Sequence, residues 1–172
     1  DKRANVGGIR NFAGSMWSQV RIGKVVEIGR NLFQFVFEKV KDMEWIMNKR
    51  PWIFDGQPLV LRKWEAGLEE DDEALSRSVI WVQMWNVPLH WVTKEVGRKL
   101  GSIFSSVEDV IIPQGGGKDG KHIKALVEID LNVPLLRGVM VKYRDMKRWI
   151  EFKYEKCPDF CFCCGLIGIL KG

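Results

Sequence analysis

Leu32-Phe33-Gln34-Phe35-Val36-Phe37 is the run from which the first part of the chain can be read. Side chains alternate across a strand, so Phe33, Phe35 and Phe37 take one face and Leu32, Gln34 and Val36 the other. Upstream, Val20–Gly29 alternates through Val20, Ile22, Lys24, Val26 and Ile28. Gly29-Arg30-Asn31 separates the two runs as a hairpin turn does. Downstream, Met43, Ile46 and Met47 recur at helical spacing within Asp42–Arg50, and Pro51 stops the pattern. Asn11–Trp17 reads as the end of an earlier helix. Asp1–Gly8 has no periodicity and is expected to fray. Trp52-Ile53-Phe54 leads into the turn Asp55-Gly56, and Pro58–Trp64 reads as a further strand.

The resulting order is helix, strand, strand, helix, strand. It is the order of a βαββαβ unit of RRM or ferredoxin-like type whose first strand is missing. That strand belongs in the middle of the sheet. Either the sequence starts inside the unit, or another segment fills the gap.

A second unit starts at Ser78. Val79–Val87 reads as a strand with Ile80, Val82 and Met84 on one face and Val79, Trp81, Gln83 and Trp85 on the other. Thr93 is a suitable N-cap for a helix over Lys94–Phe104, and Gly97 and Gly101 give that helix a face able to pack closely on a sheet. Val107–Ile112 and Ile123–Leu131 read as strands flanking the loop Pro113–Gly120. Pro134–Gly138 reads as a single helical turn, and Val139–Lys142 and Arg148–Lys153 as short strands around Tyr143–Met146. The fold class is therefore α+β. It comprises the incomplete unit at residues 1–64, a linker at 65–77, a second small α/β unit at 78–156 and a cysteine-rich tail at 157–172.

Charge follows the same division. Residues 1–63 carry 12 Lys or Arg against 6 acids, residues 64–76 carry six acids and no base, and residues 77–172 carry 15 bases against 10 acids. The acidic run Glu69–Glu73 reads as a solvated linker or as a shield for a basic face. A net charge of +5 suits a polyanionic partner. No apolar run approaches the roughly 18 residues of a membrane span. All four cysteines lie within Cys157–Cys164, which points to a reducing, intracellular setting rather than a disulfide scaffold.

Cys161 and Cys164 have the C-x2-C spacing of a metal knuckle, and Gly165 and Gly168 follow. The run Cys161–Gly168 resembles the front half of a CCHC zinc knuckle. Tyr154–Phe160 resembles the segment that precedes a knuckle in plant DUF4283-type proteins related to retroelements, and Asn31–Glu38 and Lys49–Trp64 resemble parts of the DUF4283 domain. The resemblance implies Zn²⁺ held through Cys161 and Cys164. The His position of the knuckle is occupied by Ile169 and its last Cys would fall beyond Gly172, which leaves Cys157 and Cys163 as substitute ligands and implies weak or no zinc binding.

The resemblance also implies non-catalytic nucleic-acid binding, with single-stranded RNA ahead of DNA. RRM-type units stack bases on strand aromatics and steer phosphates with nearby cations. Ile80-Trp81-Val82 with Asn86-Val87-Pro88 resembles the first such strand, which makes Trp81 a stacking platform, although Lys124–Ile129 on the partner strand carries no aromatic. Phe33 and Phe35 beside Arg30 are the corresponding candidates in the first unit. For all these rings the alternative is burial in the core or at a protein interface, including self-association. Lys142, Tyr143, Arg144, Lys147 and Arg148 form a basic and aromatic cluster that serves either as a phosphate contact or as a solvated hairpin. Lys118–Lys124 is a second basic loop. No catalytic grouping surrounds His90 or His122, and Gly115–Lys118 lacks P-loop spacing, so an enzyme is not expected.

Overall fold

A computed structural model describes residues 3–66, 76–114 and 121–157. It is a mixed α+β chain with antiparallel sheets, divided into a unit that ends at Arg77 and a unit that begins at Ser78.

The first unit opens with α1 (Val6–Met16). It starts five residues before the expected Asn11, because Asn5 acts as an N-cap: its side chain accepts from the Gly8 N–H at 2.7 Å. Ile9 and Ala13 then form a buried stripe that the early glycines Gly7 and Gly8 obscure in the sequence. β1 (Ile22–Gly29) and β2 (Leu32–Phe37) pair antiparallel around Arg30 and Asn31. Asn31 takes a left-handed backbone (φ 58°), and its side chain accepts from the Ala4 N–H at 2.9 Å, tying the start of the chain to the turn.

α2 (Val40–Asn48) follows. Its last carbonyls are satisfied from outside the helix: Trp52 Nε1 donates to Ile46 O at 2.9 Å and Arg50 Nε to Met47 O at 2.6 Å. β3 (Trp52–Phe54) and β4 (Gln57–Leu59) form a hairpin closed by Asp55 (φ 51°) and Gly56 (φ 78°), the two positive values that a type I′ turn requires. The strand expected over Pro58–Trp64 is paired only as far as Leu59.

Trp17 holds this unit together. It is buried to 1% exposure and meets Phe12, Phe35 and Trp52 edge to face, with ring centroids 5.1–5.7 Å apart. Each such pair contributes roughly 0.5–1.5 kcal/mol beyond area burial. Ala13, Ile46 and Leu59 complete this cluster, so both helices and both hairpins meet there.

The second unit is one five-stranded sheet in the order β6-β7-β5-β9-β8. Its elements are β5 (Arg77–Trp85), a 3₁₀ turn at Leu89–Trp91, α3 (Lys94–Gly101), β6 (Ser106–Ile111), β7 (Ile123–Asp130), β8 (Gly138–Tyr143) and β9 (Met146–Tyr154). Thr93 caps α3 through its hydroxyl, which accepts from the Val96 N–H at 3.2 Å. The helix ends at Gly101, short of the expected Phe104. The helical turn expected at Pro134–Gly138 is absent; residues 134–137 have no regular structure, Gly138 opens β8, and Leu135 is the buried anchor of the segment.

α3 lies on β6 and β7 because it has no side chains in the way. A Cβ on Gly97 would stand 2.6 Å from Val110 Cγ1 and 2.7 Å from Ile123 Cγ2, and one on Gly101 2.6 Å from Val107 Cγ2. A Cβ on Gly138 would run into the Ile150 carbonyl oxygen and lie 2.6 Å from the Trp149 ring.

These contacts rank three substitutions by denaturant unfolding. Gly14→Ala, with nothing within 4 Å of the new methyl, stabilises by about 0.5–1 kcal/mol through helix propensity. Gly97→Ala gains the same propensity but loses about 1–3 kcal/mol to overpacking, and comes out destabilised. Gly138→Ala is the most damaging of the three, because the obstacle is backbone that no rotamer change can move.

Candidate functional site

Ile123 and Val127 contact α3, so the period of two places His122 and Lys124 on the opposite face of β7. Phe152, which meets Phe104 with centroids 5.6 Å apart, pairs with Met84. The neighbouring pairs Gln83–Lys153 and Trp85–Glu151 therefore share the face away from it. The register of β8 and β9 extends that face through Met140–Trp149 and Lys142–Lys147. Three tryptophans and four lysines, joined by His122, Gln83, Glu151 and Glu155, thus come together on one side of the sheet.

The centre of this face is a connected network. Lys124 Nζ sits 5.1 Å above the Trp81 ring and 2.8 Å from Glu155 Oε1. Gln83 Nε2 donates to the same carboxylate at 2.7 Å, and Trp85 Nε1 donates to Gln83 Oε1 at 2.9 Å. The His122 imidazole stacks on Trp85 at 4.2 Å with 17° between planes, and Lys153 Nζ lies 5.0 Å from the Trp85 ring centroid. Both tryptophans are half-buried. Trp149 and Met140 continue the face at 44% and 53% exposure.

Charge is balanced locally. Burial alone would raise the Glu155 carboxyl, but hydrogen bonds from Lys124 and Gln83, with the positive charge of Lys124, outweigh it and hold the group below its ordinary value. Burial and the charge of Lys124 lower the His122 imidazole, with Lys153 adding to the effect and Glu155 opposing it. His122 therefore stacks on Trp85 as a neutral ring at neutral pH.

The other residues singled out in the sequence are dispersed. Phe33 is 6% exposed in a core cluster with Ile9 and Val25, and Phe35, half-buried, packs on Trp17. Arg30 is exposed at the β1–β2 turn. The basic cluster of the β8–β9 hairpin is divided by the pleat. Lys142 and Lys147 fall on the tryptophan face; Tyr143 and Arg148 fall on the other. Tyr143 lies 5.0 Å from both His90 and Trp91, and the Arg144 guanidinium is 5.5 Å from the Tyr143 ring.

Cys161, Cys163 and Cys164 lie outside the described residues. Burial raises the Cys157 thiol to about 11, which disfavours the thiolate a metal would need. Among the described residues no group of three His, Cys, Asp or Glu is placed to hold a metal ion, and no helix is long and apolar enough to cross a membrane.

Trp81, Lys142 and Lys147 are legible in the sequence as candidates, and most of their neighbours on this face are not. Trp85 and Gln83 were legible as sharing a face with Trp81. Lys153, Trp149 and Glu155 depend on the β5–β9 register, and the Gln83–Glu155 bond joins residues 72 positions apart.

The family model of a domain of unknown function, DUF4283, matches residues 1–70. No curated protein and no solved structure matches the chain.

The His122 environment sets a direction for pH dependence. The lowered value means that the unfolded chain takes up a proton near 6.5 before the folded chain does. Stability is therefore full above that pH and falls as pH drops through it. Replacing His122 by Gln removes this component, so the difference in unfolding free energy between pH 7.5 and 5.5 (about two units across the histidine range) is smaller in the variant. A larger difference in the variant would contradict the assigned direction.

Proposed function

We propose that the open face of the second sheet binds single-stranded nucleic acid, RNA ahead of DNA, without catalysis. The observation that carries this reading is the pair Trp81 and Trp85, on one strand and one face, each with a lysine at its ring and neither covered by α3. Such a surface supplies both parts of non-specific strand binding: flat rings for bases and mobile cations for phosphates.

Magnitudes favour exchange of the lysines for bases. A cation over an exposed ring is worth about 0.5–1 kcal/mol, and a base stacked on an aromatic about 1–3 kcal/mol. A base can therefore displace the Lys153 ammonium from the Trp85 ring, and the displaced ammonium remains on a flexible stem beside the backbone phosphate; Lys124, which is also held by Glu155, is the harder of the two to move. Gln83 and His122 hold Trp85 in place before binding, so little ordering remains to be done when a strand arrives. The resemblance drawn from the sequence agrees with this reading and extends it to a module of retroelement origin.

Self-association is the second reading. It is favoured by the exposed Met140 and Trp149, which sit where β8 forms the sheet edge.

Titration with a single-stranded oligoribonucleotide at increasing salt separates the two. The proposal expects binding whose logarithm falls linearly with the logarithm of salt, with Lys124→Ala and Lys153→Ala each reducing the slope by about 0.7. Trp81→Ala and Trp85→Ala are expected to weaken binding by about 5-fold to 150-fold. Absence of binding at low salt, together with a mass that rises with protein concentration in light scattering, would sink it in favour of self-association.

A further inference from the structure

An open cleft of about 660 Å³ lies in the first unit, between the second half of α1 and the start of β1. The charged residues lining it are Arg10, Arg21, Lys24 and Glu38, all exposed: three cations against one carboxylate. The exposed Ser18 adds a hydroxyl.

The cations reach the cleft by different routes. Arg10 projects from α1, and its Nη2 donates to the Val25 carbonyl at 3.1 Å. That bond anchors the guanidinium beside β1 and leaves most of its five N–H donors unspent. Lys24 owes its position to a bulge. Ile22 pairs with Phe37 and Lys24 with Val36, so β1 holds one extra residue at Gly23. Regular alternation would put Lys24 on the face of Ile22, which packs on the core. The extra residue gives the core side to Val25 instead and turns Lys24 out to solvent. Arg21 stands just before the strand. Its backbone N–H donates to Asp42 Oδ2 at 3.4 Å, while its guanidinium and the Lys24 ammonium form no ion pair among the described residues.

Like charges gathered round one cleft repel one another, and Glu38 offsets only one of them. An anion that enters recovers this cost. Cations set along a line track the diester backbone of a strand. Here they converge on one cleft, which suits a compact and multiply charged group. A guanidinium fork meets two oxygens of a phosphoryl group at once, and an ammonium or hydroxyl donates to the others. The C-terminal turn of α1 has the opposite preference, but its Ala13 carbonyl is already taken by the Trp17 N–H at 2.9 Å.

We propose that this cleft is a phosphoryl-binding site for a terminal phosphate monoester or diphosphate, with Arg10, Arg21 and Lys24 as its cationic ligands and Ser18 as a neutral donor. It belongs to the first unit and does not rest on the tryptophan face proposed for nucleic acid.

The test uses the full chain, amide NMR and inorganic pyrophosphate at constant ionic strength. The expected result is a saturable shift of the Gly14, Ser18 and Gly23 signals. Arg10→Gln and Lys24→Gln are each expected to weaken this binding about fivefold. Glu38→Gln removes the opposing carboxylate and strengthens it by about twofold to fivefold, a gain that damage to the fold would not produce. An oligoribonucleotide with a terminal 5′-phosphate shifts the same signals, and its unphosphorylated counterpart does not. No saturable shift with pyrophosphate, no gain in Glu38→Gln, or equal shifts with the unphosphorylated strand would each overturn the proposal.

Discussion

The second unit depends on how closely α3 approaches its sheet. Gly97 and Gly101 let the helix press on Val107, Val110 and Ile123 with no intervening methyl. One helix therefore covers one face, and the apolar residues of that face are the most buried in the unit: Val82, Met84, Val110, Ile123, Ala125 and Val127 are all essentially inaccessible. The opposite face has no helix among the described elements of this unit. Its strands carry large rings, lysines and acids in place of the aliphatic residues of the packed face, the pattern of a sheet with one packed face and one presented face. What the proposed function requires of the fold is this asymmetry, and the two glycines produce it.

The first unit places its aromatics in the opposite way. Trp17 draws Phe12, Phe35 and Trp52 inward, and Phe33 joins the neighbouring cluster, so the rings stabilise instead of being displayed. Two aromatic-rich strands of one chain thus have different roles. β2 directs Phe33 and Phe35 into the core, while β5 directs Val82 and Met84 there and leaves Trp81 and Trp85 on its outer face. The composition of a strand does not decide between these outcomes; the side on which the helices pack does.

This explains what could be read beforehand. β2 and the hairpin turn at Asn31 were legible because alternation and a turn residue are local signals. The two faces of β5 were legible for the same reason. The start of α1 was not, because its signal is one capping bond from Asn5 next to two glycines that argue against a helix. The end of pairing at Leu59 was not, because Val60, Leu61 and Trp64 suit a strand well and only the availability of a partner edge decides whether they form one. The network at Trp81 and Trp85 required the register between β5 and β9, and no window of sequence contains residues 72 positions apart.

The physics of the tryptophan face sets how its binding should respond to salt. Base stacking with phosphate steering is largely electrostatic in its long-range part and weakens steeply as salt rises. The tryptophan face carries Glu151 and Glu155 among its lysines, and the Lys124–Glu155 bond partly neutralises its centre. Its affinity for a polyanion therefore rests on the rings as much as on net charge.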